Sequence, residues 1–413
     1  MQIVVQKYGG TSVANLECME KVKDKVLSTL KKGQKVIVVL SAMSGETNRL
    51  LDMARAWNDN PDPAETDVLL TTGEQTSVAL FTMLLHKYGI KARSFLGHQI
   101  PIRTDRDFGR ARILDINKDN FFKHLDNYDV FVVAGFQGAD CEERLTTLGR
   151  GGSDTTAVAI ASAIEAEVCE IYTDVEGVFT TDPNICPDAH KISKISYDEM
   201  LEMASMGAKV LQIRSVEFAK KYHVPIMVKS TFSNNSGTLV TQEDEEMESA
   251  MVSGVAYDKD QALVTLVDVY DEPGVAARIF GPLSAANIVV DMIVQNPSRE
   301  GRTDMTFTVP RGNLEETGQI LDSLKEEIGA REIIRDKQVA KVSVIGVGMR
   351  NHAGVASIAF SALKNENINI LIISTSEIKI SCLIEAKYTE LAVRTLHEAF
   401  GLNHAPQIKD ATE

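Results

Sequence analysis

The chain has 413 residues, of which 44% are hydrophobic and 24% are charged, and its formal net charge is −15. This length predicts two or three domains, and the composition excludes a chain that is disordered throughout. The acidic balance argues against nucleic acid or an anionic membrane as a partner, because such a surface repels phosphate except where basic residues are locally concentrated.

Targeting and cysteine signals point to an intracellular globular protein. The sequence starts directly in a strand-like run, and no apolar run approaches the ~20 residues that span a bilayer. A cytoplasmic location is the resulting expectation. The five cysteines show no C-x-x-C spacing, so we expect buried thiols rather than a disulfide framework or a zinc site. They are Cys18, Cys141, Cys169, Cys186 and Cys382.

The first element is the apolar run at residues 3–5, whose β-branched side chains predict a buried strand. It leads into K-Y-G-G-T-S at residues 7–12, before a helix that starts near Leu16. Strand, glycine turn and helix can bind phosphate, since glycine amides approach an anion closely and the helix N-terminus adds partial positive charge. Lys7 would supply a full charge. Because the lysine precedes the glycines, this is not a Walker A loop. A tight turn beside a solvated lysine is the alternative.

Residues 1–240 alternate between apolar strands and amphipathic helices, which predicts an α/β fold with a mostly parallel sheet. Ligands in such sheets bind at the carboxyl ends of the strands. The further predicted strands are Val36–Leu40, Val130–Ala134 and Val168–Tyr172. The predicted helices include Asn48–Trp57, Asp67–Tyr88, Thr155–Ala166 and Lys209–Tyr222.

Small polar turns follow several of these strands. The segment S-A-M-S-G-E-T at residues 41–47 follows the second strand, and an ordinary hydroxyl-capped helix start explains it equally well. T-T-G-E at residues 71–74 interrupts an apolar helical pattern; its simplest interpretation is a solvated Glu74 beside a helix break. G-F-Q-G at residues 135–138 predicts another turn that allows close backbone approach.

The most informative segment is T-T-L-G-R-G-G-S-D-T-T-A at residues 146–157, which opens a helix of small residues. Three glycines around Arg150 predict an anion-binding nest with a guanidinium at its rim. A buried arginine pairs a carboxylate in a bidentate fork, so Arg150 suggests a substrate that carries a carboxylate. Asp154 beside a lysine in a phosphate site suggests charge organisation or magnesium ligation.

Two later segments are consistent with a nucleotide site. Y-T-D-V-E-G-V-F at residues 172–179 ends a strand with a glycine turn and an aromatic ring, and Asp182-Pro183 then ends regular structure. A plain β-turn is the alternative. Lys209 stands at a predicted helix start, where an exposed surface lysine is the simpler interpretation.

The order of these motifs carries a resemblance. K-Y-G-G-T-S-V, S-A-M-x-G-x-T, T-T-G-E, L-G-R-G-G-S-D-T-T-A, Y-T-D-V-x-G-V and G-A-K-V-L follow one another through residues 1–240. The sequence thereby resembles the aspartokinase family of the amino acid kinase superfamily. The resemblance implies transfer of the γ-phosphoryl group of ATP, with Mg²⁺, to the β-carboxylate of L-aspartate. The product, 4-phospho-L-aspartate, begins lysine, threonine and methionine biosynthesis.

The resemblance also implies roles for individual residues. Lys7 would hold phosphate charge, and Asp154 would organise the lysine and the metal. Arg150 would bind the α-carboxylate of aspartate and Glu74 its ammonium group. The other implied substrate contacts are Ser41, Thr47, Gly151, Gly152 and Ser153. The implied nucleotide contacts are Lys7, Tyr8, Gly9, Gly10, Thr173, Asp174, Phe179, Asp182 and Lys209, with Thr11 beside the glycines. No residue is assigned as a dedicated metal ligand.

Two positions depart from the family pattern. Asn184 stands where the family often has arginine, which weakens the expectation of one nucleotide contact. Gln212-Ile213 stands where the family often has His-Pro, and this change is expected to affect packing alone.

The second half contains an internal repeat with an offset of 80 residues. Gly274-Val275-Ala276 recurs as Gly354-Val355-Ala356, and Asn287-Ile288 recurs as Asn367-Ile368. The offset predicts two copies of a small β-α-β-β-α-β domain rather than a solenoid. Such units resemble ACT domains; a purely structural repeat is the alternative. The predicted strands include Leu263–Val267, Ile288–Val294 and Met305–Val309, then Val342–Val347, Ile368–Thr375 and Ile378–Ile384.

The predicted fold is therefore an amino-acid-kinase-type α/β domain at residues 1–241, an acidic linker at 242–262, and two α+β ACT domains at 263–339 and 340–413. ACT resemblance implies feedback inhibition by lysine, threonine or both, and a homodimer or larger assembly through these domains. The first effector set is Asp271, Gly274, Val275, Ala276, Asn287, Ile288, Asp291 and Gln295. The second is Asn351, Ala356, Asn367, Ile368, Ser374 and Glu377.

Other functions remain as alternatives. A sister kinase for N-acetylglutamate, glutamate or UMP would share the glycine turns but is not expected to carry two ACT copies. A non-catalytic amino acid sensor would tolerate loss of Lys7 or Asp154, and both residues are present.

Overall fold

The structure is a computed structural model, and it describes residues 2–124, 127–206, 210–296 and 300–404. The chain divides into two compact units. The first comprises Met1–Phe179 and Lys191–Met247, and the second comprises Thr180–His190 and Glu248–Glu413. A short segment that the sequence places within the predicted kinase domain, Thr180–His190, thus belongs to the second unit.

The first unit alternates strands and helices along most of its length. Its strands are β1 (Ile3–Tyr8), β2 (Lys35–Leu40), β3 (Ala92–Phe95), β4 (Ile102–Thr104), β5 (Ile113–Ile116), β6 (Val130–Ala134), β7 (Gln137–Ala139), β8 (Leu145–Thr147), β9 (Cys169–Thr173), β10 (Lys194–Ser196), β11 (Ile226–Ser230) and β12 (Thr238–Thr241). Its helices are α1 (Leu16–Leu30), α2 (Glu46–Trp57), α3 (Pro63–Lys87), α4 (Lys118–His124), α5 (Gly152–Ala163), α6 (Tyr197–Ser205), α7 (Ile213–Tyr222) and α8 (Glu245–Ser249), the last of which crosses into the second unit.

The main sheet of this unit has eight strands in the order β10-β12-β11-β9-β1-β2-β6-β3. Neighbouring strands are parallel, except for the antiparallel pair β11 and β12. The apolar strands β2 and β6 are almost wholly buried, as expected for a parallel sheet covered by helices. The parallel register brings the ends of β1, β2, β6 and β9 to one edge, where the polar turns of the sequence meet.

A smaller sheet in the order β5-β4-β7-β8 lies in the same unit. Strand β8 ends at Thr147, immediately before the glycines around Arg150, and pairs with β7 antiparallel from Gln137 to Ala139. This sheet therefore supports one side of the predicted anion nest.

Helix α3 differs from its prediction in two ways. It runs without a break from Pro63 to Lys87 through T-T-G-E, so the expected helix break is wrong. The helix is also long and apolar enough to cross a membrane, although 56% of its apolar 18-residue stretch is buried in the protein. The burial, and the carboxylates Asp67 and Glu74 on its inner face, identify α3 as a core helix.

The second unit contains one antiparallel sheet of six strands in the order β14-β15-β13-β16-β18-β17. Its strands are β13 (Gly254–Tyr270), β14 (Ile293–Gln295), β15 (Arg302–Val309), β16 (Glu332–Ile345), β17 (Ile372–Thr375) and β18 (Lys379–Glu385). Its helices are α9 (Val275–Ala285), α10 (Leu314–Leu324), α11 (Val355–Asn365) and α12 (Thr389–Ala399). Each sequence copy builds a separate hydrophobic core.

The repeat is visible in the backbone itself. Gly274 and Gly354 adopt φ of 97° and 100° before α9 and α11, and Asn287 and Asn367 adopt φ of 56° and 54° after them. Strands β14 and β17 begin at Ile293 and Ile372, several residues later than predicted.

The predicted linker at 242–262 is not an unstructured spacer. Strand β13 starts at Gly254, and its first residues pair with the end of β16, where Val255 faces Val344. Val252 and Val255 pack in the core of the second copy, so a segment that precedes the first copy completes the second. The acidic residues at 242–249 led to the prediction of a linker, although apolar residues follow directly after them.

The cysteine prediction holds in part. Cys169, Cys186 and Cys382 are buried free thiols, Cys18 is half-buried, and Cys141 is exposed.

Candidate active site

A cleft of about 910 Å³ lies in the first unit, lined by the turns that follow β1, β2 and β6 and by the inner face of α3. Its volume suits a site for small molecules. The structure brings most of the predicted catalytic and substrate residues together there. Those lining the cleft are Lys7, Gly10, Thr11, Ser41, Thr47, Glu74, Arg150, Gly151, Gly152, Ser153 and Asp154.

Lys7 and Asp154 form an ion pair at the base of this cleft. Lys7 lies near the end of β1, and Asp154 lies in the first turn of α5, which packs on that strand. Lys7 Nζ is 2.6 Å from Asp154 Oδ1, and both side chains are largely buried. The ion pair therefore keeps the ammonium group close to the N-terminus of α5, where anions bind favourably.

The Arg150 loop, residues 147–151, lies between β8 and α5. Gly149 and Gly151 on either side of the arginine adopt φ of 74° and 70°, a left-handed conformation that favours glycine. A Cβ atom on Gly151 would come within 2.0 Å of Gln212 Cγ, so a side chain there has no room. The Arg150 side chain is exposed to the cleft, and within the described part of the chain it has no carboxylate partner. A free guanidinium at this position can receive an anion.

Glu74 supplies an opposite charge in the same cleft. Its side chain is 3% exposed, and its Oε1 accepts a hydrogen bond of 3.0 Å from the backbone N–H of Ala42. Its Oε2 is buried and has no partner in the described structure. Burial raises the pKa of Glu74 to about 7, although the Ala42 amide opposes this change. A buried carboxylate with an unused oxygen is a site for a cationic group.

The sequence interpretation of Glu74 as a solvated residue is therefore wrong, and Gly73 shows why. A Cβ atom at Gly73 would lie 2.9 Å from Ala42 Cβ, so the glycine allows the turn after β2 to approach α3 closely. That approach brings the Ala42 amide to Glu74. Ser77 on the same helix also donates a hydrogen bond of 2.8 Å to Ser41 O.

The predicted nucleotide contacts are more scattered. Tyr8 is wholly buried and its ring stacks on Tyr172 with 4.6 Å between ring centroids, so a nucleotide contact at Tyr8 would have to be made by its backbone. Gly9 follows β1 and is half-buried, while Thr173 ends the neighbouring strand β9. Thr173 Oγ1 donates to Asp174 Oδ1 at 3.0 Å.

The remaining nucleotide candidates are Phe179, Asp182 and Lys209. Phe179 forms an isolated antiparallel bridge with Lys191. Asp182 belongs to the second unit, where it accepts a hydrogen bond of 2.9 Å from Tyr257 Oη and others from the neighbouring Asn184. Lys209 lies outside the described residues. The nucleotide roles stay predictions.

The side chains that line the cleft suit Mg²⁺ only when the ion is also bound to the phosphate groups of a substrate. Among the described residues, no group of three or more His, Cys, Asp and Glu side chains is arranged to hold a metal ion. The carboxylate of Asp154 is already paired with Lys7. Mg²⁺ commonly binds through substrate phosphates and few carboxylates, and such a mode suits this cleft.

In the second unit, the predicted effector residues differ in exposure. Val275 and Ile288 pack in the first core and Ile368 in the second, so these side chains serve packing. Ala356 is half-buried. The exposed members are Asp271, Gly274, Ala276, Asn287, Asp291, Gln295, Asn351, Asn367, Ser374 and Glu377.

Contacts among the exposed members are few. Gln295 Nε2 lies 3.4 Å from Asp271 Oδ1, which joins two first-copy candidates. Asp291 pairs with Lys341, Asn351 contacts Glu248 at 3.4 Å, and Glu377 pairs with Arg350 at 3.4 Å. The effector roles stay predictions.

Two residues that sequence reasoning missed support the Arg150 loop. Asp67 is 1% exposed on α3 and accepts hydrogen bonds from Thr147 and Gly109. Arg214, near the start of α7, donates to the carbonyl oxygens of Leu148 and Ala111. Asp67 could have been found from its spacing, since it stands seven residues before Glu74 on one helical face.

Family comparisons agree with this architecture. A model described as the amino acid kinase family matches residues 2–230, and two ACT domain models match residues 263–329 and 342–400. The chain is 54% identical over 404 residues to an aspartate kinase of Pseudomonas putida, with 98% of each chain covered. It is 50% identical over 405 residues to an aspartokinase of Helicobacter pylori, with 97% of this chain and 100% of that protein covered.

Solved structures show the same fold. Aspartokinase III of E. coli in complex with aspartate and ADP, in its R-state, superposes with a TM-score of 0.78 at 29% identity, covering 96% of this chain and 99% of that chain. The same enzyme with lysine and aspartate, in its T-state, gives a TM-score of 0.77 at 29% identity, covering 97% and 100%. The predicted fold class, a mostly parallel α/β domain followed by ACT domains, is confirmed.

Proposed function

Because the chain belongs to the aspartate kinase family, as the sequence resemblance predicted, we propose that its cleft holds L-aspartate and the terminal phosphate of ATP side by side. The chain is a kinase that phosphorylates aspartate and is regulated through ACT domains. The roles of individual residues, the effector and the assembly belong to the proposal.

One observation carries the proposal for substrate recognition. Among the described residues, the Arg150 guanidinium in this cleft has no carboxylate partner, and the buried Oε2 of Glu74 has no hydrogen-bond partner. These charges complement the α-carboxylate and α-ammonium groups of an amino acid. Arginine binds a carboxylate through two parallel hydrogen bonds, and an ammonium group would give the buried Oε2 of Glu74 a partner. Ser41 and Thr47, in the turn after β2 and the first turn of α2, complete the lining.

The reaction follows from the remaining charges. The β-carboxylate of aspartate is ionised near neutral pH, so it needs no general base to become a nucleophile. Catalysis then consists of alignment and stabilisation of charge on the transferred phosphoryl group. Lys7, oriented by Asp154, would face that charge, and the amides near Gly9, Gly10 and the start of α5 would add partial positive charge.

The nucleotide would extend from this cleft along the ends of β1 and β9. Thr173 ends β9, which pairs with β1 in the sheet, and Asp174 and Phe179 follow it in the chain. The complex of E. coli aspartokinase III with aspartate and ADP supports a nucleotide substrate for this family. Mg²⁺, carried by the phosphates, would neutralise their charge when it is bound.

Regulation would act through the paired ACT copies. We assign lysine, threonine or both as feedback inhibitors, and the complex of the E. coli enzyme with lysine supports the first. The exposed carboxylates Asp271, Asp291 and Glu377 would meet the effector ammonium, while the amides at the starts of α9 and α11 would meet its carboxylate. An effector inhibits only if it favours one of two arrangements of the protein.

The same unit offers a surface for self-association. Strands β14 and β17 are the two edges of the six-stranded sheet, and Ile293 and Ile373 on them are 52% and 45% exposed. Unpaired edges with apolar side chains invite pairing with another chain. We therefore propose a homodimer or larger assembly through the ACT domains. Synthesis of lysine, threonine and methionine in the cytoplasm is the matching biological context.

The direct test is release of ADP by the purified chain with ATP and Mg²⁺. We expect release with L-aspartate and none above background with L-glutamate, N-acetyl-L-glutamate or UMP. Release with one of these controls but not with aspartate would assign the chain to a sister kinase. No release with any substrate would favour the amino acid sensor.

A further inference from the structure

The Arg150 loop is joined to α3 by a buried carboxylate that no step of the reaction uses. Asp67 Oδ2 accepts hydrogen bonds from the backbone N–H of Thr147 at 2.8 Å and of Gly109 at 2.9 Å. Its Oδ1 accepts from Thr147 Oγ1 at 2.7 Å. The side chain is 1% exposed, and no lysine or arginine pairs with it among the described residues. Burial raises its pKa, and the three donors oppose that change.

The opposite side of the same loop is held by a guanidinium. Arg214 donates to Leu148 O at 2.6 Å and to Ala111 O at 3.1 Å. The two segments that Asp67 and Arg214 connect also bond to each other, since Ala111 N donates to Thr147 O at 2.9 Å. Residues 109–111 and 147–148 are therefore held between the buried carboxylate of Asp67 and the guanidinium of Arg214. The second of these segments ends two residues before Arg150.

The helix that carries Asp67 also carries Glu74. The seven-residue spacing is two helical turns, so both carboxylates face the cleft. Asp67 thus fixes the Arg150 loop to the element that bears Glu74. Burying a carboxylate costs folding free energy unless hydrogen bonds compensate it, and all three hydrogen bonds of Asp67 go to Thr147 and Gly109, in the segments that support Arg150.

We propose that Asp67 and Arg214 are positioning residues that hold the Arg150 guanidinium at a set distance from Glu74, so that the cleft recognises the two charged groups on the α-carbon of an amino acid together. This inference rests on the proposed function of the same cleft. Neither residue takes part in phosphoryl transfer, so their effect is on aspartate binding.

The test compares the full chain with Asp67→Asn, Arg214→Gln and the double variant. The asparagine side chain would keep the shape of the aspartate but replace one acceptor oxygen by a donor that faces Thr147. We expect the aspartate KM to rise about tenfold or more in each single variant, since small displacements of positioning groups are costly. The kcat and the ATP KM should stay within about twofold. The double variant should resemble the singles, because both act on one loop.

Leu85→Ala is the matched control for general destabilisation. Leu85 is a fully buried residue on the same helix, 18 residues after Asp67, and belongs to the hydrophobic core around the main sheet. This variant should lower the thermal midpoint and leave the aspartate KM unchanged. The rise of the midpoint on adding aspartate without nucleotide gives a second measure of binding, which should shrink in the Asp67 and Arg214 variants.

An unchanged aspartate KM in Asp67→Asn would overturn the inference. The inference would also be overturned if kcat fell, the KM values for aspartate and ATP both rose, and the midpoint of thermal unfolding dropped. Such a result would indicate a purely structural role. If the unsubstituted chain releases no ADP with aspartate and is not stabilised by it, the proposed function fails instead.

Discussion

Replacing Glu74 by glutamine tests whether its buried negative charge binds the aspartate ammonium group while it makes the folded protein less stable. Glu74 is almost fully buried, and burial raises its pKa from 4.5 to about 7. A change of this size corresponds to about 3 kcal/mol of extra cost for the ionised side chain in the folded protein. Glutamine has nearly the same shape, can still accept from Ala42, and carries no charge.

The sign of the stability effect follows from linkage. Between about pH 4.5 and 7 the unfolded chain has released the Glu74 proton while the folded chain retains it, so Glu74 makes the folded state less stable as pH rises through this window. Above about pH 7 the full cost is present, and below about pH 4.5 it disappears. Glu74→Gln should therefore stabilise the first unit by up to about 3 kcal/mol at pH 8 and by little at pH 4.

The functional effect has the opposite sign. Only the ionised carboxylate attracts the aspartate ammonium group, so the aspartate KM of the unsubstituted enzyme should rise about tenfold when pH falls from 8 to 6. Glu74→Gln should have a high aspartate KM with little pH dependence over this range. Its ATP KM should not change.

Differential scanning calorimetry and steady-state kinetics check both effects. The stabilisation corresponds to about 6–12 °C in the thermal midpoint of a unit of this size. Glu65→Gln is the matched control, because Glu65 is an exposed glutamate on the same helix, 2.9 Å from Arg144. A midpoint at pH 8 equal to that of the control, with an unchanged aspartate KM, would refute the role of Glu74.

Four further results are expected. Lys7→Ala should lose about 10²-fold or more in kcat, because it removes an electrostatic stabiliser of the transferred group, and a near-normal kcat would exclude Lys7 from the mechanism. Arg150→Ala should raise the aspartate KM more than it lowers kcat; an unchanged KM would contradict the carboxylate contact. Gly151→Ala should weaken aspartate binding, since the new Cβ meets Gln212, and normal kinetics would show that the loop tolerates a side chain. Millimolar lysine and threonine, separately or together, should inhibit ADP release, and full activity in the mixture would reject feedback control.

Much of the first unit follows from local sequence signals. Continuous apolar runs such as Val130–Ala134 predict buried parallel strands, and the glycines around Arg150 predict a backbone that approaches an anion. The buried strand is confirmed, and Gly149 and Gly151 adopt the left-handed backbone that such a loop requires, while the anion contact stays a prediction. The ion pair between Lys7 and Asp154 joins residues that are far apart in the chain. The resemblance to the aspartokinase family suggested this pair, and the spacing of residues in the sequence did not.

Other features depend on contacts that no local pattern encodes. Gly73 suggests a helix break, but its function is to admit the turn at Ala42, and only the packing of β2 against α3 shows this. Tyr8 alternates with Lys7 along β1, so the two side chains point to opposite faces, and a motif written as K-Y-G-G hides that difference. The strand at Gly254 was missed because its partner, β16, lies much later in the chain, and a nearby acidic run dominated the local composition.

A crystal structure of the chain with L-aspartate and a non-hydrolysable ATP analogue tests the central claim most directly. It should place the α-carboxylate of aspartate on Arg150, its ammonium group on Glu74 Oε2, and its β-carboxylate between Lys7 and the terminal phosphate. Aspartate bound elsewhere, or Lys7 and Arg150 directed away from one shared cleft, would contradict the account.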